Sequence, residues 1–187
     1  MNSTENMEKR LEYVKMHDYF KNKIENAMEK QQYIEACWLI YSALENRYFR
    51  TLQKFKDKCK YCKGKSKCVN NKKNELAIAT KIGCVERLYK ANVSCIKESF
   101  AEELFTDTKK WIKKRNDLMH ELLSLDEYKK SDIAFKECAE CGVFLLNKTY
   151  TSCTNFRKLF YSEGYEFVFP KTAMDGCPCN PKKGSKK

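Results

Sequence analysis

From Tyr33 onward the apolar positions Tyr33, Cys37, Ile40, Leu44, Tyr48, Leu52 and Phe55 recur at intervals of three and four, laying them in one stripe along a helix. Weaker spacing through Leu11, Val14, Tyr19 and Ile24 predicts a leading helix over residues 11–28, whose boundary with the next is not readable. Ile78, Ile82, Val85 and Tyr89 predict a third helix, weakened by Gly83 and ending near Ala91 and Asn92. A fourth, over about residues 99–125, follows Leu104, Thr108, Trp111, Arg115, Leu118 and Leu122, so an arginine occupies an apolar stripe. The fifth, over about 131–160, carries Ile133, Phe135, Val143, Leu145, Leu146, Tyr150, Phe156, Leu159 and Phe160. Only residues 165–169, aromatic and β-branched before Pro170, read as a strand or an extended arm.

Four or five helices with short connections predict an all-α fold, an antiparallel helical bundle without internal repeats. Residues 1–170 form one domain in this reading, with a Lys/Cys-rich insertion at about 56–74, and residues 171–187 form a short, basic, non-helical tail. A chain of 187 residues can bury roughly 70% of its unfolded surface, so the core needs no staples. With 6 Gly and 3 Pro it is neither collagen-like nor a turn-rich sandwich, and 42% hydrophobic residues set it apart from disordered chains.

The net charge of +12 is concentrated. Nine lysines face Asp57 alone between Lys54 and Lys73, four more lie in the tail from Gly176, and the remaining body is close to neutral. Such attachments suit a polyanion such as nucleic acid, or equally serve as a solvated loop and tail. The N-terminus lacks the apolar core of a signal peptide and the longest apolar runs are too short to span a bilayer, which predicts a cytoplasmic protein with no membrane partner. The 11 cysteines are an odd number, so thiols or metal ligands are expected rather than complete disulfide pairing. The glycosylation sequons at Asn92 and Asn147 are then incidental.

Cys59-x2-Cys62-x5-Cys68 has zinc-knuckle spacing but supplies three thiolates where a closed structural site takes four. Cys177, Cys179 or Cys84 would complete a structural zinc site, with His17 a remoter ligand; otherwise the segment is a lysine-dense loop. With metal, Lys58, Lys60, Lys63, Lys65 and Lys67 would form a rigid RNA-binding edge on which Tyr61 stacks a base. Cys138 and Cys141, three apart on a helix without a βαβ setting, do not predict a thioredoxin-like site, and Cys37 and Cys95 read as small core residues. His17 reads as a solvated or capping residue. No Gly-rich phosphate loop, HExxH or GxSxG occurs, so ATP hydrolysis at a P-loop, zincin proteolysis and α/β-hydrolase chemistry have no support.

The fourth helix carries Arg115, Asn116 and His120. Asn116 and His120 share a face, Arg115 lies about 100° round from Asn116, and a long side chain lets the trio address one anionic group. Arginine supplies a permanently charged fork for phosphate oxygens and histidine a proton mobile near neutral pH, the parts needed to cut RNA without metal. As bare residues such a pair is more often a surface pair or a satisfied packing site, but Arg115 in an apolar stripe demands a partner chain or a phosphate opposite.

The pattern Arg115-Asn116-Asp117-Leu118-Met119-His120, preceded by YIEACWLIYSALENRYFRTL and KIGCVERLYK, resembles the HEPN superfamily (higher eukaryotes and prokaryotes nucleotide-binding domains) over about residues 31–160. The resemblance implies an all-helical fold and, in active members, a metal-independent endoribonuclease, found among bacterial toxins, abortive-infection proteins and CRISPR-associated nucleases. It implies no cofactor for catalysis, and a composite site in which each of two HEPN domains contributes its Arg and His, hence a homodimer or a HEPN-containing partner. An antitoxin or a larger defence complex is a further implied partner. By the same resemblance Arg115 holds the scissile phosphate, His120 moves the proton or stabilises the departing oxygen, and Asn116 orients His120 or holds the phosphate. Glu45 and Arg47 match a polar stretch on the facing helix and would support the site. The alternative within the same fold is a non-catalytic HEPN module that binds RNA or a nucleotide, or serves a larger defence complex.

Overall fold

A computed structural model describes residues 3–55, 77–122 and 128–162. Among them run α1 (Ser3–Glu29), α2 (Tyr33–Gln53), α3 (Ile78–Lys90), the single turn α4 (Ser94–Lys97), α5 (Glu102–Glu121) and α6 (Tyr128–Tyr161). The chain is an all-α helical bundle, with no strand among the described residues. The insertion at about 56–74, residues 165–169 and the basic tail lie outside the described residues, as do Lys58, Cys59, Lys60, Tyr61, Cys62, Lys63, Lys65, Lys67, Cys68, Cys177 and Cys179. No helix among the described residues is long and apolar enough to cross a membrane.

α2 packs against α1, α3 and α6, while α5 packs against α3 and α6. Its predicted stripe is the core: Cys37, Ile40, Leu44, Tyr48, Leu52 and Phe55 are buried. Ile78, Ile82 and Val85 answer from α3, Leu104, Thr108 and Trp111 from α5, and Phe135, Leu145, Leu146 and Phe156 from α6. The stripe expected on α1 is wrong in all but one position. Leu11, Val14 and Tyr19 are exposed, whereas Ile24 and Ala27 are buried and His17 and Phe20 half-buried, so the inward face steps through 17, 20, 24 and 27. Ile133 of the expected α6 stripe is likewise exposed.

The boundary between α1 and α2 is a left-handed joint at Gln31, with φ of 57°. The Gln32 amide donates to the Ala27 carbonyl at 2.8 Å and the Gln31 amide to Met28 at 3.1 Å, a Schellman closure. Asn92, with φ of 53°, closes α3 in the same way, and Val93 folds back beside Leu88 in the core. The expected start of the fourth helix near residue 99 moves to Glu102. The intervening chain is a turn that buries Phe100, whose ring stacks on Phe105 at 5.6 Å. Glu102 and Glu103 then open α5, where acidic side chains complement the helix dipole.

α5 and α6 meet closely at Trp111, one turn before Arg115. The Trp111 indole donates from Nε1 to the Cys138 carbonyl at 2.7 Å, and Gly142 makes room for the ring: a Cβ there would lie 2.7 Å from Trp111 Cζ2.

Candidate functional site around Arg115

Arg115 is buried, at 6% exposure, in the position where the stripe placed it. α2 supplies its cover: the guanidinium carbon lies 4.1 Å from the Trp38 ring centre and 4.9 Å from that of Tyr41. Trp38, Tyr41, Glu45 and Phe49 follow one another at helical spacing, so a second face of α2, apart from its core stripe, runs past α5 toward α3. Arginine suits the place because its planar cation stacks on aromatic faces.

The stacking leaves hydrogen bonds unmade. Arg115 Nη1 donates to Asn116 Oδ1 at 3.0 Å, while its Nε and Nη2 are buried without a partner. Burial draws the guanidinium below its ordinary pKa, against nearby Tyr41, Cys37 and Cys138, which favour the charged form. Tyr41 is in turn raised by burial and by Glu45, and lowered by Arg115. Under the guanidinium two core thiols meet across α2 and α6: a hydrogen bond between them raises Cys37 and lowers Cys138. Cys141, three residues on, is exposed, so the two cysteines of this CxxC do not share one environment.

His120 lies in the last turn of α5 and is exposed. Five residues on from Arg115, it projects about 140° round the helix. Asn116 is joined to Arg115 by its hydrogen bond, and His120, one turn on from Asn116, opens to solvent. Within one chain the structure bonds Arg115 to Asn116 and keeps Asn116 and His120 on one face of α5, while Arg115 and His120 lie on different sides of the helix.

Glu45 accepts a hydrogen bond from Lys81 Nζ on α3 at 2.7 Å, and Lys81, 1% exposed, also lies over the Phe49 ring at 5.5 Å. Glu45 therefore ties α2 to α3 and reaches the Arg115 neighbourhood only through Tyr41. Arg47 points elsewhere: it lies over Tyr150 of α6, its guanidinium carbon 4.6 Å from the ring centre. Trp38, 54% exposed beside half-exposed Ile34, is the site residue that the sequence reading missed. Its signal was the second α2 stripe through Tyr41 and Glu45, masked by the stronger core stripe.

No group of three or more His, Cys, Asp or Glu side chains among the described residues could hold a metal ion. Cys84, the ligand suggested from the body of the bundle, is buried and accepts a hydrogen bond from Arg87 Nη2 at 2.8 Å. His17, the remoter ligand, faces Tyr150 edge-on at 4.7 Å.

No family model, curated protein or solved structure matches this chain. The HEPN resemblance therefore rests on the residues of the motif and on the place they take in a helical bundle.

Proposed function

We propose that the chain is a metal-independent endoribonuclease of HEPN type, acting as a homodimer on single-stranded or looped RNA in a cytoplasmic bacterial defence or toxin system. The observation that supports it is Arg115: a buried cation with two unpartnered donor nitrogens and no carboxylate bonded to it among the described residues. A phosphate oxygen pair would satisfy that fork. Trp38, more than half exposed, covers the guanidinium and would have to move aside for a phosphate to enter.

In this reading Asn116 orients the Arg115 fork, and a second copy brings its own Arg115 and His120 to the same cleft, which makes up for the angle between them on one helix. A base takes the proton of the ribose 2′-hydroxyl, the oxygen attacks phosphorus, and the bond from phosphorus to the 5′-oxygen breaks as an acid protonates that oxygen. The products carry a 2′,3′-cyclic phosphate and a 5′-hydroxyl. Unpaired RNA is preferred because in-line attack needs a backbone free to turn.

The aromatic cover over Arg115 favours a second reading, in which the guanidinium is a strut between α2 and α5 and the module binds RNA or a partner without cutting. Labelled RNA incubated in EDTA with the native protein and with His120→Ala separates the two. The enzyme reading expects cyclic-phosphate ends from the native protein alone, with a solution mass of two chains. RNA bound but uncut, or cut equally by both proteins, refutes it.

A further inference from the structure

A second cationic cluster lies where α1, α2 and α6 meet, outside the Arg115 site. Its platform is the half-buried ring of Tyr150. Arg47 of α2 lies 4.6 Å from the ring centre, and His17 of α1 meets the same ring edge-on at 4.7 Å with an interplanar angle of 61°. Arg157 follows Tyr150 by seven residues on α6, two helical turns, and therefore stands over the same face. Trp38 and Arg47 are nine residues apart, about 180° round α2, so this cluster and the Arg115 site occupy opposite sides of one helix.

The charges in the cluster do not balance. No carboxylate is paired with Arg47 or Arg157 among the described residues; Arg157 reaches only Thr154 Oγ1, at 3.4 Å. Burial, with Arg157 nearby, draws the Arg47 guanidinium below its ordinary pKa, against Tyr150 and Cys153, which favour the charged form. Asp18 is occupied by His17 Nδ1 at 3.3 Å and is largely exposed. A half-buried guanidinium beside a second one, with no counter-charge among the described residues, is costly unless an anion is bound there.

We propose that Arg47 and Arg157, with Tyr150 and His17 at their edge, form a phosphate-binding site at the α1–α2–α6 junction. Two guanidinium forks match the tetrahedral oxygens of a phosphate monoester, and the Tyr150 hydroxyl adds a neutral donor. The ring holds Arg47 in place before the anion arrives, which lowers the ordering cost of binding. The shared chemistry is a terminal phosphate, carried either by a nucleotide or RNA end or as the free ion.

Calorimetric titration of the full chain tests this with inorganic phosphate, 5′-AMP and adenosine. Phosphate or 5′-AMP is expected to bind and adenosine not, and Arg47→Met and Arg157→Met are each expected to weaken binding at least about tenfold. Equal affinity for the two anions assigns the site to the free ion, and tighter binding of 5′-AMP to a phosphorylated end; both support it. Exposed Arg157 gives a variant that folds even where Arg47→Met does not, and exposed Lys113→Met serves as a control with unchanged binding. Absence of binding up to about 10 mM of either anion overturns the proposal, as does binding that neither arginine variant alters. Because the readout is binding away from Arg115, loss of RNA cleavage in His120→Ala has no bearing on it.

Discussion

Replacing Arg115 by methionine separates a residue kept for function from one kept for folding. The native side chain is 94% buried, following from its 6% exposure. Nε and Nη2 are buried without partners, and an unmet donor costs about 1–3 kcal/mol, so the pair costs about 2–6 kcal/mol. Against this stand stacking on Trp38 and Tyr41, about 1–3 kcal/mol together, and one hydrogen bond to Asn116, about 1 kcal/mol. Methionine keeps most of the stem volume and needs no donors satisfied. The difference comes out at about 1 kcal/mol in favour of Arg115→Met, which should unfold at a higher urea concentration with an unchanged denaturant slope. RNA cleavage should fall by several orders of magnitude in the same protein. A loss of more than about 1 kcal/mol in stability would refute this reasoning and make Arg115 a strut between α2 and α5.

Two glycines give opposite expectations. Gly142→Ala drives a Cβ to 2.7 Å from the buried Trp111 ring and disturbs its hydrogen bond to Cys138, so a loss of about 1–3 kcal/mol by urea denaturation is expected, reduced when Trp111→Phe is combined with it. Gly83→Ala meets nothing within 4 Å in the middle of α3 and should gain about 0.5–1 kcal/mol; a loss there would mean that α3 is not helical at that point. Burial alone would push Glu86 up, but hydrogen bonds from Lys109 and Lys90 hold it below its ordinary 4.5. Its contribution is therefore present above that pH and lost as pH falls through the lowered value, so the stability gap to Glu86→Gln should close in acid; a gap constant from pH 7 to 3 contradicts the pairing.

The core was legible because α2, α3 and α5 bury one face each, and a buried face repeats at helical period. Tyr33 through Phe55 and Leu104 through Trp111 needed only that period. α1 misled because its apolar side chains Leu11, Val14 and Tyr19 are exposed while a histidine lies on the inward face, so hydrophobicity pointed the wrong way round the helix. The joint at Asn92 was legible, since asparagine tolerates the left-handed position, whereas the one at Gln31 carries no residue signal and is held by backbone hydrogen bonds. Of the candidate site, the burial of Arg115 was legible as a polar residue in an apolar stripe. Its aromatic cover was not, because Trp38 and Tyr41 share a helix whose stronger stripe concealed them. Nor could spacing reveal that Glu45 is bonded to Lys81, a contact across 36 residues of chain.

α2 is engaged on three sides. One face fills the core, one stacks on Arg115 and ties down Lys81, and another props Arg47 against Tyr150. A helix committed on three sides has little room for neutral drift, so its engaged positions should vary least between descendants of the gene. The outward face of α1, by contrast, is free to change letter by letter at little cost to the fold.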